Sequence, residues 1–303
     1  KRGKLDRVVL AETVHPMYRR VLSTYTGPAA IEVVVVPPGD DGRVSTDALA
    51  EAAGDDRTCC IAVQSPNFLG IVEDLPAIAA AAHDIGALAV QVVTEAVSLG
   101  LLSGGGAHGF DVVCGEAQSF GLAPGFGGPH LGFFACREKN IRQMPGRLAG
   151  ETLDSDGRRA FCLTLSTREQ HIRRAKATSN ICTNQGLMAL AATIWLESIG
   201  GEGLRELATA CVARSEELKR RITAIGGGWD LAYPNSPSFN EFLVTGPDSG
   251  NELVTRLARD NILAGVPAHS WGGSWPDGLI VTATERNTAA EMEALVDALG
   301  RLS

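Results

Sequence analysis

Short apolar runs rich in β-branched residues recur along the first hundred positions, at 7–11 (RVVLA), 31–36 (IEVVVV), 58–63 (TCCIAV) and 87–93 (ALAVQVV). Between them lie Ala- and Leu-rich segments at 16–24, 46–53 and 75–85, which read as helices. Local chemistry marks their ends. Ser45 and Thr46 can cap the second segment, Glu73 and Asp74 put negative charge at the start of the third, and Gly86 stands just past its end. Continuous apolar strands alternating with helices predict a parallel sheet covered on both faces. A strand at 111–114 then leads through a Gly/Pro-rich loop, ending at Pro129, to another strand at 131–136. Residues 140–183 are polar and Arg-dense, and read as irregular with one short helix. A long helical block follows from 184 to about 225, broken near Gly200-Gly201. Beyond it, strands at 241–245 and 279–284 with helices at 251–260 and 288–302 make an α+β module. The pattern predicts a large α/β domain over 1–200 and a small α+β domain over 201–303.

Composition narrows the function classes. Lys plus Arg number 27 and Asp plus Glu 35, a net charge of −8 that argues against a nucleic-acid partner. Apolar residues at 45% exclude intrinsic disorder. The longest apolar stretch, 75–90, is interrupted by His83 and Asp84 and falls short of the ~20 residues of a membrane span. Seven cysteines without C-x-x-C, and histidines without H-E-x-x-H, predict neither a metal site nor a disulfide framework, but the reduced thiols of a cytoplasmic protein. The run Gly104–Gly109 (GGGAHG) matches the letters of a dinucleotide fingerprint, which would make the chain a dehydrogenase. It leads into a strand instead of opening a helix, so a tight loop is the better reading.

Two segments carry more information. In 125–132 (GFGGPHLG) four glycines would let the backbone pass close to a ligand or a neighbouring subunit. A plain turn explains one or two of them. In 168–176 (REQHIRRAK) cationic and imidazole side chains crowd together, and 177–185 (ATSNICTNQ) follows with small polar groups suited to a cleft or a subunit seam. On its own the basic run reads as a solvated helix face, with Glu169 and Arg173 as an i,i+4 pair.

Taken with 144–151 (MPGRLAGE), these motifs, REQHIRRAKATSNICTNQ and GFGGPHLG, resemble the glycine decarboxylase P-protein family of the glycine cleavage system, and within it the α-subunit, or N-terminal-half, type. The resemblance implies an aspartate-aminotransferase-like fold of the pyridoxal-phosphate enzymes (fold type I). Its large domain has a mixed, mostly parallel seven-stranded sheet, and a smaller C-terminal α+β domain follows. It also implies glycine as the substrate of the complex, aminomethyl transfer to the lipoyl arm of H-protein, and pairing with a β subunit that carries pyridoxal phosphate, the pairs joining into a heterotetramer. Full α subunits of the family have over a hundred residues before the position of Lys1, so the resemblance implies an incomplete sheet with an exposed apolar face.

The family's cofactor lysine stands nine residues before the double glycine of its loop, which here falls on Gln118. An amide is no imine-forming nucleophile, so the chain is expected to contain no catalytic residue and to hold no cofactor covalently. The acid that keeps the pyridine nitrogen protonated would stand at the end of the 87–93 strand, where Glu95 is out of register. Candidates for the interface or active-site rim are Gly125, Gly127, Gly128, His130, Arg168, His171, Arg173, Asn180 and Thr183. The alternative is a self-sufficient pyridoxal-phosphate enzyme using Lys176.

Overall fold

The computed structural model describes residues 5–54, 57–144, 146, 148–165, 170–177 and 185–302. The alternation read from the sequence appears as β1 (Arg7–Ala11), α1 (Pro16–Thr26), β2 (Glu32–Val36), α2 (Thr46–Ala53), β3 (Thr58–Gln64), α3 (Leu75–Asp84), β4 (Leu88–Val93), β5 (Val112–Glu116) and β6 (Gly132–Cys136). Helix starts follow the side-chain chemistry. Ser45 accepts the Ala48 N–H at α2, and Asp74 accepts the Ala77 N–H at α3. The strands form one sheet in the order β2-β1-β3-β4-β5-β6, parallel except for β6, which runs antiparallel to β5. Six strands stand where the resemblance implies seven, and β6 ends the sheet with no further described strand on its outer edge.

The strand side chains divide by parity. Val9, Ala11, Ile61, Val63 and Ala89 are fully buried in one core with Leu49 of α2 and Ile78 of α3. On the opposite face α1 lies beside a groove of about 840 Å³ whose floor is made of alternate residues of β1, β3 and β4. Among the described residues the sheet is therefore covered by α2 and α3 on one face and by α1 on the other.

The stretch read as irregular contains an antiparallel hairpin, β7 (Leu148–Leu153) with β8 (Arg159–Thr164), ahead of the short helix α4 (Gln170–Arg173). Among the described strands its two pair only with each other, and Leu153, Phe161 and Leu163 remain exposed, so no buried face imposes the alternation that identifies a strand. The long helix α5 (Gly186–Ile225) bends at Gly200, whose φ of 62° no helix interior holds.

After it come β9 (Asp230–Leu231), β10 (Glu241–Thr245), α6 (Gly250–Arg259), β11 (Val266–Pro267), β12 (Leu279–Thr282) and α7 (Ala289–Gly300), with the four strands in an antiparallel sheet ordered β11-β12-β10-β9. Capping boxes at Ser249/Glu252 and Thr288/Glu291 start α6 and α7. The second core joins Leu218 and Ile222 of α5 to Phe242, Leu253, Val281 and Leu299. Phe68, Leu69 and Ile71, from the loop after β3, pack into this module against Leu243, Trp275 and Ile280. Among the described residues no helix is long and apolar enough to cross a membrane.

Candidate functional site

The carboxyl ends of β1, β3, β4 and β5 open on one edge of the sheet. The chain leaves β1 toward β2 and returns to β3 on the other side, and ligands of open α/β sheets collect at such a divergence. Gln64, at the end of β3, ties this edge together. Its Nε2 donates to the Pro66 carbonyl (3.0 Å) and Thr94 Oγ1 (3.0 Å), and its Oε1 accepts the His15 N–H (2.8 Å). The His15 ring meets Phe68 edge-on at 5.3 Å, and burial, with Arg19 nearby, pulls its pKa below the ordinary imidazole value. From the smaller module the Ser274 N–H donates to Glu12 Oε2 at 3.1 Å, so both units reach this edge. Gln64, Thr94 and His15 were not singled out in the sequence. They are common residue types whose convergence depends on sheet order.

Beneath this edge lies a buried carboxyl. Glu73 accepts from Asn67 Nδ2 (2.8 Å) and from the Val44 N–H (3.1 Å), and burial pushes its pKa up to about 7. Asn67 cannot reverse its amide, because its Oδ1 already accepts the Leu69 and Ile71 N–H groups.

The glycine loop follows β5. Glu116 Oε1 accepts the N–H of Gln118 (2.9 Å) and of Leu131 (3.0 Å), closing the loop at its base. Gln118 Nε2 donates to the Ala123 carbonyl (3.0 Å), while its Oε1 faces His130 Nδ1 at 3.3 Å. The structure thus brings Gln118 and His130 together on Glu116. Gly125 is required because a Cβ there would stand 2.5 Å from the Gly128 carbonyl oxygen. Gly127 and Gly128 are required by φ values of 123° and 120°, with no crowding at either. Turn geometry within the chain therefore accounts for these three glycines. What it leaves over is Phe126, fully exposed at the tip with φ 51°. The loop rests on α5, where Phe120 stacks on Trp195 at 6.0 Å and a Cβ on Gly121 would lie 2.3 Å from that indole. Along the adjoining first turns of α5, Leu187, Leu190 and Ile194 form an exposed stripe.

His171, Arg173 and Lys176 are exposed on α4 and the 3₁₀ turn after it. Arg168, Asn180 and Thr183 lie outside the described residues. Of the other described lysines, Lys139 Nζ pairs with Asp111 at 2.8 Å and Lys219 Nζ with Glu216 at 2.6 Å. Glu95 caps the 3₁₀ turn after β4, accepting the Val97 N–H at 3.0 Å. The GGGAHG run is a 3₁₀ turn, Gly105–His108, whose first N–H donates to Gln91 Oε1 (2.7 Å). It lacks the strand–loop–helix context of a nucleotide site, which removes the ground for nicotinamide binding at this run. Among the described residues no three His, Cys, Asp or Glu side chains are grouped to hold a metal ion.

Comparison with known proteins agrees with this architecture. A family model described as glycine cleavage system P-protein matches residues 1–299. A relative named "Probable glycine dehydrogenase (decarboxylating) subunit 1" from Xanthobacter autotrophicus is 48% identical over 97% of the chain, which spans 65% of that relative. One of the same name from Phenylobacterium zucineum is 46% identical over 98% of the chain and 66% of its own length. A crystal structure of a glycine decarboxylase (P-protein) of the glycine cleavage system, in inhibitor-bound form, superposes with a TM-score of 0.90 at 38% identity, over 99% of this chain and 66% of that one. A NifS-like protein from Rickettsia africae, 14% identical with a TM-score of 0.70, shares the fold. The chain thus spans about two-thirds of the length of the relatives it matches.

Proposed function

The chain belongs to the glycine cleavage system P-protein family, and from that premise we propose that it is the non-catalytic α subunit of a two-subunit, pyridoxal-phosphate-dependent glycine dehydrogenase (decarboxylating). The observation that carries this reading is Gln118. At the position where the resemblance sets a Schiff-base lysine, the side chain is an amide, already engaged by Ala123 and His130. A Schiff base needs a primary amine, which Gln118 does not provide. The strand-end acid does not fit the cofactor either, since Glu95 serves as a cap on its own turn. The residues present here do not suit a covalently held pyridoxal phosphate, and its chemistry is assigned to the partner β subunit.

The role left to this chain is to complete the partner's site. Phe126 on the glycine loop and Leu187, Leu190 and Ile194 on α5 supply exposed apolar groups for a subunit seam, and aromatic anchors of this kind concentrate binding energy. Arg173 and His171, with Arg168, Asn180 and Thr183, are assigned to the rim, where guanidinium groups suit a carboxylate. Glycine is the substrate of the complex, lipoyl H-protein its acceptor, a heterotetramer its assembly and the cytoplasm its compartment.

Borohydride reduction of the chain with pyridoxal phosphate tests the assignment, and no peptide should be labelled stoichiometrically. The Gln118→Lys variant should stay inactive in decarboxylation, since the amine alone does not restore the acid. Stoichiometric labelling at Lys176 would overturn the reading and favour a self-sufficient enzyme.

A further inference from the structure

Of the described lysines, Lys139 and Lys176 are exposed, whereas Lys219 on α5 is only 8% exposed. Its Nζ donates to Glu216 Oε1 at 2.6 Å and to Ser238 Oγ, and stands 5.4 Å from the centroid of the Phe242 ring. An i,i+3 pair with Glu216 forms equally well on a solvated helix face and contributes too little to offset the desolvation of an ammonium group. What burial adds is the inward contact, where Lys219 and Ser238 share the wall of a pocket of about 500 Å³, a volume ordinary for a small-molecule site. The pocket lies between α5 and residues 233–238, which are pinned to the large domain. The Val72 N–H donates to the Pro237 carbonyl (2.8 Å), the Phe239 N–H to the Gly70 carbonyl (3.2 Å) and Ser236 Oγ to the Asp41 carbonyl (2.6 Å). That wall is preformed.

Its hydrogen-bonding capacity is unspent on the donor side. An ammonium group has three N–H donors, and the third of Lys219 has no oxygen acceptor among the described residues. Ser238 Oγ accepts from Lys219, which leaves its own proton without an acceptor among them. The side chains of Tyr233 and Asn235 line the same pocket and make no hydrogen bond to described residues. Burial and Asp41 push the Tyr233 phenol up to about 12, so it stays a donor at neutral pH. The one lining carboxylate, Glu216, already accepts from Lys219, and Arg220, itself engaged by Glu217, adds a second positive charge to the lining. Free donors and an excess of positive charge call for a ligand rich in acceptor oxygens.

We propose that this pocket is a binding site for a small oxyanion, the phosphate or carboxylate group of a small molecule, held by Lys219 Nζ and Ser238 Oγ with Tyr233 and Asn235 as further donors. It shares no residue with the Gln118 loop or with the Leu187, Leu190 and Ile194 stripe, so the inference does not rest on the functional reading.

Calorimetric titration of the 303-residue chain at low ionic strength, with inorganic phosphate and with succinate as probes, tests the site. At least one probe should bind saturably at a 1:1 ratio, and the tighter of the two identifies the ligand as phosphate-bearing or carboxylate-bearing. Lys219→Met and Ser238→Ala should each weaken that binding about tenfold, the loss of one charge-assisted contact. Arg286→Gln, at an exposed position before α7, should leave it unchanged. Should Lys219→Met fail to fold, Ser238→Ala decides alone, because it keeps the Lys219–Glu216 pair. The proposal is overturned if neither probe binds saturably at millimolar concentration, if Ser238→Ala binds as tightly as the wild type, or if Arg286→Gln weakens binding as much as the pocket variants do.

Discussion

Glu73 sits in surroundings that constrain its protonation. Its folded pKa, about 7, lies above the ordinary carboxyl value of 4.5, so the neutral form is the one the fold favours. The resulting stabilisation is fully present below pH 4.5, declines as pH rises, and is gone above about 7. The loss is on the order of 3 kcal/mol. Glu241, raised to about 7 by burial and by Glu95, acts in the same direction. Urea unfolding between pH 5 and 8 should show stability falling with pH, and Glu73→Gln should flatten that slope. The variant should also be less stable at pH 5, because its amide must confront either Asn67 Nδ2 or the Val44 N–H with a second donor. An unchanged slope would contradict the assignment.

Glu116 acts through its hydrogen bonds, as the acceptor that closes the glycine loop. Replacing it with Ala removes the acceptor for two loop N–H groups and should cost about 1–2 kcal/mol, with faster hydrogen exchange at Gln118 and Leu131. Gln118 stands out in the sequence as an amide at the position where the resemblance sets a lysine, a difference visible in the letters. Glu116 does not, because its role arises only when the loop brings Leu131 back to β5.

At the scale of elements, close backbone contact sets the joints. Gly100 lies against α5, where an added Cβ would stand 2.5 Å from the Leu204 carbonyl oxygen. Gly100→Ala should cost about 2 kcal/mol, measured as a drop in Tm, since backbone on both sides must move. Gly128 differs, for its nearest neighbour to a Cβ is 3.5 Å away and only its φ of 120° resists substitution. Gly128→Val should therefore distort the loop tip and weaken binding to the β subunit more than it lowers Tm. Equal effects would reduce the loop to a plain turn.

The strands and helices of the buried sheet were readable because burial imposes periodicity. The β7–β8 hairpin was not, since Leu153, Phe161 and Leu163 face solvent and its pattern serves no core among the described residues. The two-residue strands β9 and β11 are too short to carry a pattern at all.

For the whole molecule, the fold places two kinds of surface side by side. Its interior is made of ordinary apolar cores, while Phe126 of the glycine loop and Leu187, Leu190 and Ile194 of α5 remain exposed. Such a chain is expected to act through a partner. The most direct measurement is glycine–bicarbonate exchange, with increasing amounts of this chain added to a fixed amount of a β subunit loaded with pyridoxal phosphate. The account predicts no exchange from this chain alone and a rate that rises until the two are equimolar. Exchange catalysed by the chain alone with pyridoxal phosphate, or a β-subunit rate indifferent to its addition, would contradict the account.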